Sequence, residues 1–88
     1  MESKFTFLPE FYKNLKSLPQ GRQKQIIKKI ADIANIKDQS IFRHVKPLAI
    51  AIERATHRLR VGDYRIFLRV AGNHFEVQNI VQRKDAYK

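Results

Sequence analysis

The sequence predicts an α+β fold: an N-terminal strand, a two-helix hairpin, then a three-stranded antiparallel meander. Three observations carry this. Apolar residues recur at helical spacing between about residues 9 and 36, and alternate at period two from Thr56 onward. Gly62-Asp63 and Gly72-Asn73 divide the alternating part into three runs, and both are two-residue signals that suit tight hairpins. The chain has 88 residues, enough for one compact core, so 1–88 is read as a single domain.

Each element has a local reason. KFTFL (4–8) alternates Phe5 and Phe7 with polar neighbours and reads as a short strand. Pro9 suits the first turn of a helix, where its missing N–H would have no partner anyway. PEFYKNLKSL sets Phe11, Leu15 and Leu18 at helical spacing, and Pro19 stops it. A second helix is expected from about Gly21 to Ile36, with Ile26, Ile27, Ile30, Ile33 and Ala34 on one stripe. The two helices form an antiparallel hairpin packed on the sheet. Residues 37–53 have weak periodicity and contain Pro47, and are expected to be mostly loop leading into a strand. ATHRLRV, YRIFLRVA and HFEVQNIVQ are the strands of the meander.

Eighteen Lys and Arg against eight Asp and Glu give a net charge of +10. That excess predicts a polyanionic partner, nucleic acid ahead of a membrane surface or an acidic protein. There is no cysteine, which excludes a disulfide framework and thiolate metal sites and fits a reducing cytoplasm. The N-terminus MESKFTFLPEF lacks a signal-peptide core, and no stretch approaches a membrane span, so no membrane association is expected. His44, His57 and His74 are scattered without carboxylate neighbours at ligand spacing, so neither a metal nor a cofactor is expected. No Gly-rich phosphate loop and no Ser/His/Asp arrangement is present, and nothing marks Glu53 or Asp85 as a general base.

The hairpin arithmetic is the most informative step. A two-residue Gly62-Asp63 loop sets Val61 opposite Tyr64, Arg60 opposite Arg65, Leu59 opposite Ile66 and Arg58 opposite Phe67. One face then holds Leu59, Val61, Tyr64, Ile66, Leu68 and Val70 and must cover the helices. The other holds Arg58, Arg60, Arg65, Phe67 and Arg69. The same logic at Gly72-Asn73 pairs Val70 with Phe75, Arg69 with Glu76 and Phe67 with Gln78. It puts Val77 and Val81 on the core side, with Asn79 as a polar intruder. His57 also falls on the core side. Opposed like charges destabilise a sheet by up to about 1 kcal/mol. Arginines converging beside an aromatic ring are therefore read as a phosphate receptor, the plain alternative being a solvated charged face. QRKDAYK (82–88) adds Arg83, Lys84 and Tyr87 beyond the last strand. Strict alternation would carry Arg83 to the core face. Tyr87 suits base stacking or proton transfer, and equally a C-terminal anchor.

These residues resemble a known family. "RLRVGDYR" running into "YRIF", preceded by two helices and followed by "VQRKDAYK", is similar to the RelE/ParE toxin superfamily over essentially the whole chain. The RelE-type ribosome-dependent mRNA interferases, toxins of type II toxin–antitoxin systems, match best. The resemblance implies metal-independent cleavage of mRNA on the ribosome: the ribose 2′-OH attacks the adjacent phosphorus and leaves a 2′,3′-cyclic phosphate. It implies catalytic roles for three residues. Arg65 stabilises the phosphate, Arg83 stabilises the transition state or protonates the leaving group, and Tyr87 stacks on or deprotonates the nucleotide. Arg58, Arg60 and Lys84 are implied as RNA- or phosphate-binding, and a cognate antitoxin protein, the ribosome and mRNA as partners. Where the family pattern has two lysines alternating on the second strand of the fold, this chain has Thr56 and Arg58, so one basic group is missing. An arginine is charged at neutral pH and is a poor base. A histidine that many relatives carry near Gln82 is absent. A tyrosine acting as a base would need neighbouring cations to lower its usual pKa of about 10. Two other readings remain open: a ParE-like DNA gyrase inhibitor with the same fold, and a non-enzymatic nucleic-acid-binding module.

Overall fold

A computed structural model describes residues 4–82. Its elements are β1 (Lys4–Phe7), α1 (Pro9–Lys16), α2 (Gln20–Ala34), a 3₁₀ helix (Gln39–Arg43), β2 (Val45–Ile52), β3 (Ala55–Val61), β4 (Tyr64–Ala71) and β5 (His74–Gln82). The strands form one sheet in the order β1-β5-β4-β3-β2, mixed because β1 runs parallel to β5 while the rest are antiparallel. This is the expected α+β architecture with one strand added.

The helix pair is held by its own ends. Pro9 occupies the first turn of α1, and Phe11 and Leu15 are its buried residues. The Ser17 hydroxyl donates to the Asn14 carbonyl at 2.7 Å and ties off the last turn. The Pro19 carbonyl accepts from the amides of both Arg22 and Gln23, starting α2 at once, and Gln23 Nε2 donates back to the Leu18 carbonyl at 2.7 Å. The inner seam of α2 is Ile26, Ile30 and Ile33. Ile27, expected on that stripe, is 54% exposed, because it stands about 100° round the helix from Ile26. At the next element Asp38 caps the 3₁₀ helix: its carboxylate accepts from the Ser40 amide and hydroxyl, and those bonds hold its pKa below the ordinary value.

Residues 45–52, expected to be mostly loop, form the outermost strand of the sheet. Proline is tolerated there because an edge strand needs its N–H on one side only. Pro47 still aligns with His57, but Ile52 aligns with Ala55, five steps along β2 against two along β3. The strand therefore bows out of the ladder over residues 48–51.

The β3–β4 register is the expected one: Arg58↔Phe67, Leu59↔Ile66, Arg60↔Arg65 and Val61↔Tyr64. The β4–β5 register begins as expected, with Val70↔Phe75 and Arg69↔Glu76, then slips. Leu68 aligns with Val77 and Phe67 with Asn79, so Gln78 is a bulge residue and the expected Phe67–Gln78 pair does not form. From there the faces exchange. Ile80 aligns with Ile66 and is buried, while Val81 aligns with Arg65 on the arginine side instead of joining the core. Asn79 is also no core intruder. Its Oδ1 accepts from Asn14 Nδ2 of α1 and from the Ile80 amide. The bulge is thus where β5 adjusts a polar residue to its partners.

The core joins Phe11 and Leu15, the α2 seam, Ile41, Val45, Leu59, Val61, Tyr64, Ile66, Leu68, Phe75, Val77 and Ile80. Phe5 stacks on Phe75 with ring centroids 4.9 Å apart, sealing the β1 end. His57 lies on the core side as expected, 5.9 Å from the Phe42 ring, and burial lowers its pKa.

Candidate functional site

The face of the sheet away from the helices is not flat. The bowed segment of β2 and the β2–β3 turn stand over it, so that Arg58 of β3 and Arg65 and Phe67 of β4 lie in a groove with Pro47, Leu48, Ala49, Ile50 and Ile52. The groove encloses about 420 Å³. A continuation of about 330 Å³ shares Ile52 and Phe67 with it and runs past Glu53, Arg54, Ala55, Gln78, Asn79 and Val81 to Leu8 and Glu10.

Arg65 is the buried charged residue among the described residues, only 6% exposed. It has an interaction partner within the molecule and is therefore held in place rather than waving in solvent. A planar guanidinium fixed in a partly apolar groove offers paired N–H donors where water screens them weakly. Arg58 is half-buried beside it, two rungs along the hairpin and opposite Phe67. Two arginines and an aromatic ring lining one groove can receive a phosphate with a nucleoside attached.

Arg60 is positioned differently. The register sets it opposite Arg65, but its side chain is exposed and lines a separate depression with Lys28, Lys29 and Asp32 of α2, next to Gly62. Arg69 is exposed too, aligned with Glu76. The structure thus brings Arg58 and Arg65 together and leaves Arg60 outside their groove. Arg83, Lys84 and Tyr87 lie outside the described residues.

Sequence reasoning missed the apolar wall and the turn residue Glu53. A signal existed: LAIAI is an apolar run with no place in the expected core, and Glu53-Arg54 separates two strand-like runs by two residues. Glu53 has φ 55°, the left-handed region where glycine is usual. Among the described residues no group of three or more His, Asp or Glu side chains is placed to hold a metal ion. No helix among them is long and apolar enough to cross a membrane.

Comparison with solved structures gives this arrangement a name. The chain superposes on a chain of the RelBE2 toxin–antitoxin complex from Mycobacterium tuberculosis with a TM-score of 0.74 at 17% identity, covering 94% of this chain and 100% of the other. It matches the RelB–RelE antitoxin–toxin complex from Methanococcus jannaschii at 0.65 and 27% identity over 92% and 93%. The archaeal RelE–RelB complex from Pyrococcus horikoshii OT3 matches at 0.70 and 19% over 98% and 100%. The chain has the RelE toxin fold. No family model matches it, and no curated protein is similar in sequence. The agreement lies in the path of the chain more than in its side chains. Within the RelE fold, the groove holding Arg58 and Arg65 is built by the last hairpins of the sheet and by the bow in β2.

Proposed function

We propose that this protein is the toxin of a type II toxin–antitoxin pair and a ribosome-dependent endoribonuclease that cuts mRNA. The observation that carries the reading is the groove in which buried Arg65 and half-buried Arg58 lie beside Phe67 in a RelE fold. A phosphodiester entering it meets fixed positive charge on the phosphate and an apolar surface next to it.

In the reaction the 2′-oxygen gives up its proton and attacks the adjacent phosphorus. The bond to the 5′-oxygen breaks, leaving a 2′,3′-cyclic phosphate and a 5′-hydroxyl once that oxygen takes a proton. Negative charge on the non-bridging oxygens rises on the way. Arg65 and Arg58 act there, by electrostatic stabilisation of charge that is larger in the transition state than in the substrate. Neither arginine is suited to take the 2′ proton. Tyr87 and Arg83 are the proton-transfer candidates by resemblance. The net charge of +10 assists encounter with the ribosome, whose surface is largely polyanionic RNA. The partner reading follows from the neighbours, which are RelB–RelE complexes: a cognate antitoxin would bind this chain and neutralise it in the cytoplasm.

The test is primer extension on mRNA from a purified translation reaction, with the wild-type protein and Arg65→Ala. Discrete cuts in ribosome-bound codons are expected, reduced about 10²–10³-fold in the variant. Circular dichroism on both proteins checks that the loss is not unfolding. No cuts from folded wild-type protein would overturn the nuclease reading and favour gyrase inhibition, which a supercoiling assay reads directly.

A further inference from the structure

Three two-residue loops join β2 to β5 in series, and each holds its first residue at positive φ: Glu53 at 55°, Gly62 at 56° and Gly72 at 60°. Glycine takes that conformation without steric penalty. A glutamate does not. At the one turn of the three that overhangs the groove, the chain carries a side chain where its other turns carry none.

That side chain lines the far end of the groove. Moving away from Arg58 and Arg65, the lining passes through Ile52, Phe67 and Val81 to Glu53, Arg54, Glu10 and Gln78. The order of chemistry is cationic, apolar, then polar, where the Glu53 and Glu10 carboxylates stand with Arg54 and Gln78. A nucleotide has the complementary order: phosphate, the flat faces of its base, then the polar base edge. We propose that Glu53 reads the base of the nucleotide whose phosphate lies at Arg58 and Arg65, and that it selects guanine. The inference rests on the RNA reading above.

The chemistry of the edge chooses the base. An ionised carboxylate only accepts hydrogen bonds, through two parallel oxygens. Guanine presents two adjacent donors, N1–H and the N2 amino group, that satisfy both. Adenine and cytosine present one amino donor beside a ring nitrogen whose lone pair faces the second oxygen. Uracil presents one N–H flanked by carbonyl oxygens. Distance decides against the other role open to a carboxylate, removal of the 2′ proton. Ala55 is three residues from Arg58 along β3, about 10 Å at the rise of a strand, and Glu53 lies beyond it. A 2′-OH sits beside the phosphate, whereas a base edge lies at the far end of the nucleotide.

The test is an NMR titration of the purified protein with the four nucleoside 3′-monophosphates. Guanosine 3′-monophosphate should bind roughly tenfold more tightly than the adenosine compound, shifting the amides of Ile52, Glu53 and Phe67. Glu53→Gly removes the carboxylate and supplies the residue the turn favours, so the fold is not at risk. In that variant the preference should collapse while affinity for the phosphate persists. Equal binding of all four by the wild type, no binding of any, or a guanine preference that survives Glu53→Gly would each overturn the proposal. Cut-site mapping separates the two readings. A guanine preference without mRNA cleavage would sink the nuclease and keep the base reader. Cleavage whose base preference is identical in Glu53→Gly would do the reverse.

Discussion

The β3–β4 and β4–β5 hairpins start alike and end differently. Both turn on glycine followed by a polar residue, and both place aligned residues on a common face. The first keeps strict alternation along its whole ladder. The second abandons it at Gln78, and beyond that point every residue of β5 lies on the face opposite to the one the turn dictates. A turn therefore fixes register only until a residue further along has a stronger demand. Here the demands are the burial of Ile80 and the hydrogen bonds of Asn79 to Asn14 and to the Ile80 amide.

The largest effects are expected from attempts to exchange the two behaviours. Deleting Arg60 from the regular hairpin cannot be absorbed by a loop already two residues long, so Leu59 would cross to the groove face. Loss of a cooperative urea transition is expected, since the whole stability of a domain this size is only about 5–15 kcal/mol. Deleting Gln78 instead removes the extra residue and leaves every aligned pair in place. That variant should stay within about 1 kcal/mol of wild type in the same measurement. Equal damage from both deletions would mean that the hairpins do not differ in this way.

Next in size is a pair of alanines at neighbouring positions. Ile80→Ala removes a side chain only 4% exposed and should cost about 2–5 kcal/mol. Val81→Ala, on the groove side, should cost less than about 1 kcal/mol. Strict alternation predicts the opposite order, so two denaturation curves decide between the registers.

Smaller effects test the turns. Gly62→Ala and Gly72→Ala each force an L side chain into left-handed backbone at about 1–2 kcal/mol, although the space around both sites is open or in ordinary contact. Glu53→Gly should move the other way and raise the melting temperature. If it lowered stability, Glu53 would be held by contacts that offset its backbone strain.

The smallest expected effect belongs to His57. Burial lowers its pKa in the folded protein below the ordinary 6.5. The unfolded chain therefore takes up the proton first as pH falls. This contribution to stability is complete above about 6.5, declines as pH drops from there to the folded value, and is level below it. A His57→Gln variant should show a flatter stability profile across that window.

Much of this was legible in the sequence because turn chemistry and alternation are local. Gly62 and Gly72 marked the loops, Pro9 and Pro19 bounded α1, and the first hairpin's faces followed from counting. Arg58 and Arg65 could be placed together on that count alone. What was not legible depends on tertiary partners. The weak periodicity of residues 37–53 hid β2, because nothing in KPLAIAI says that the strand lies at an edge. The bulge could not be read from HFEVQNIVQ because its cause, Asn14, lies 65 residues away on α1. Arg60 was grouped with its opposed residue, yet it reaches a different depression because α2 passes beside the turn. The overhang of β2, and with it the groove's wall, has no local signature.

The parallel pairing of β1 with β5 bears on how the protein is made. Lys4 to Phe7 are synthesised 70 residues before their sheet partners His74 to Val77. Until β5 emerges, β1 has no neighbour and β4 has one bare edge, so neither the core nor the groove can close. Such long-range pairing is slow and leaves apolar strands uncovered in the interval. The groove that holds Arg58 and Arg65 is therefore among the last parts of the fold to form.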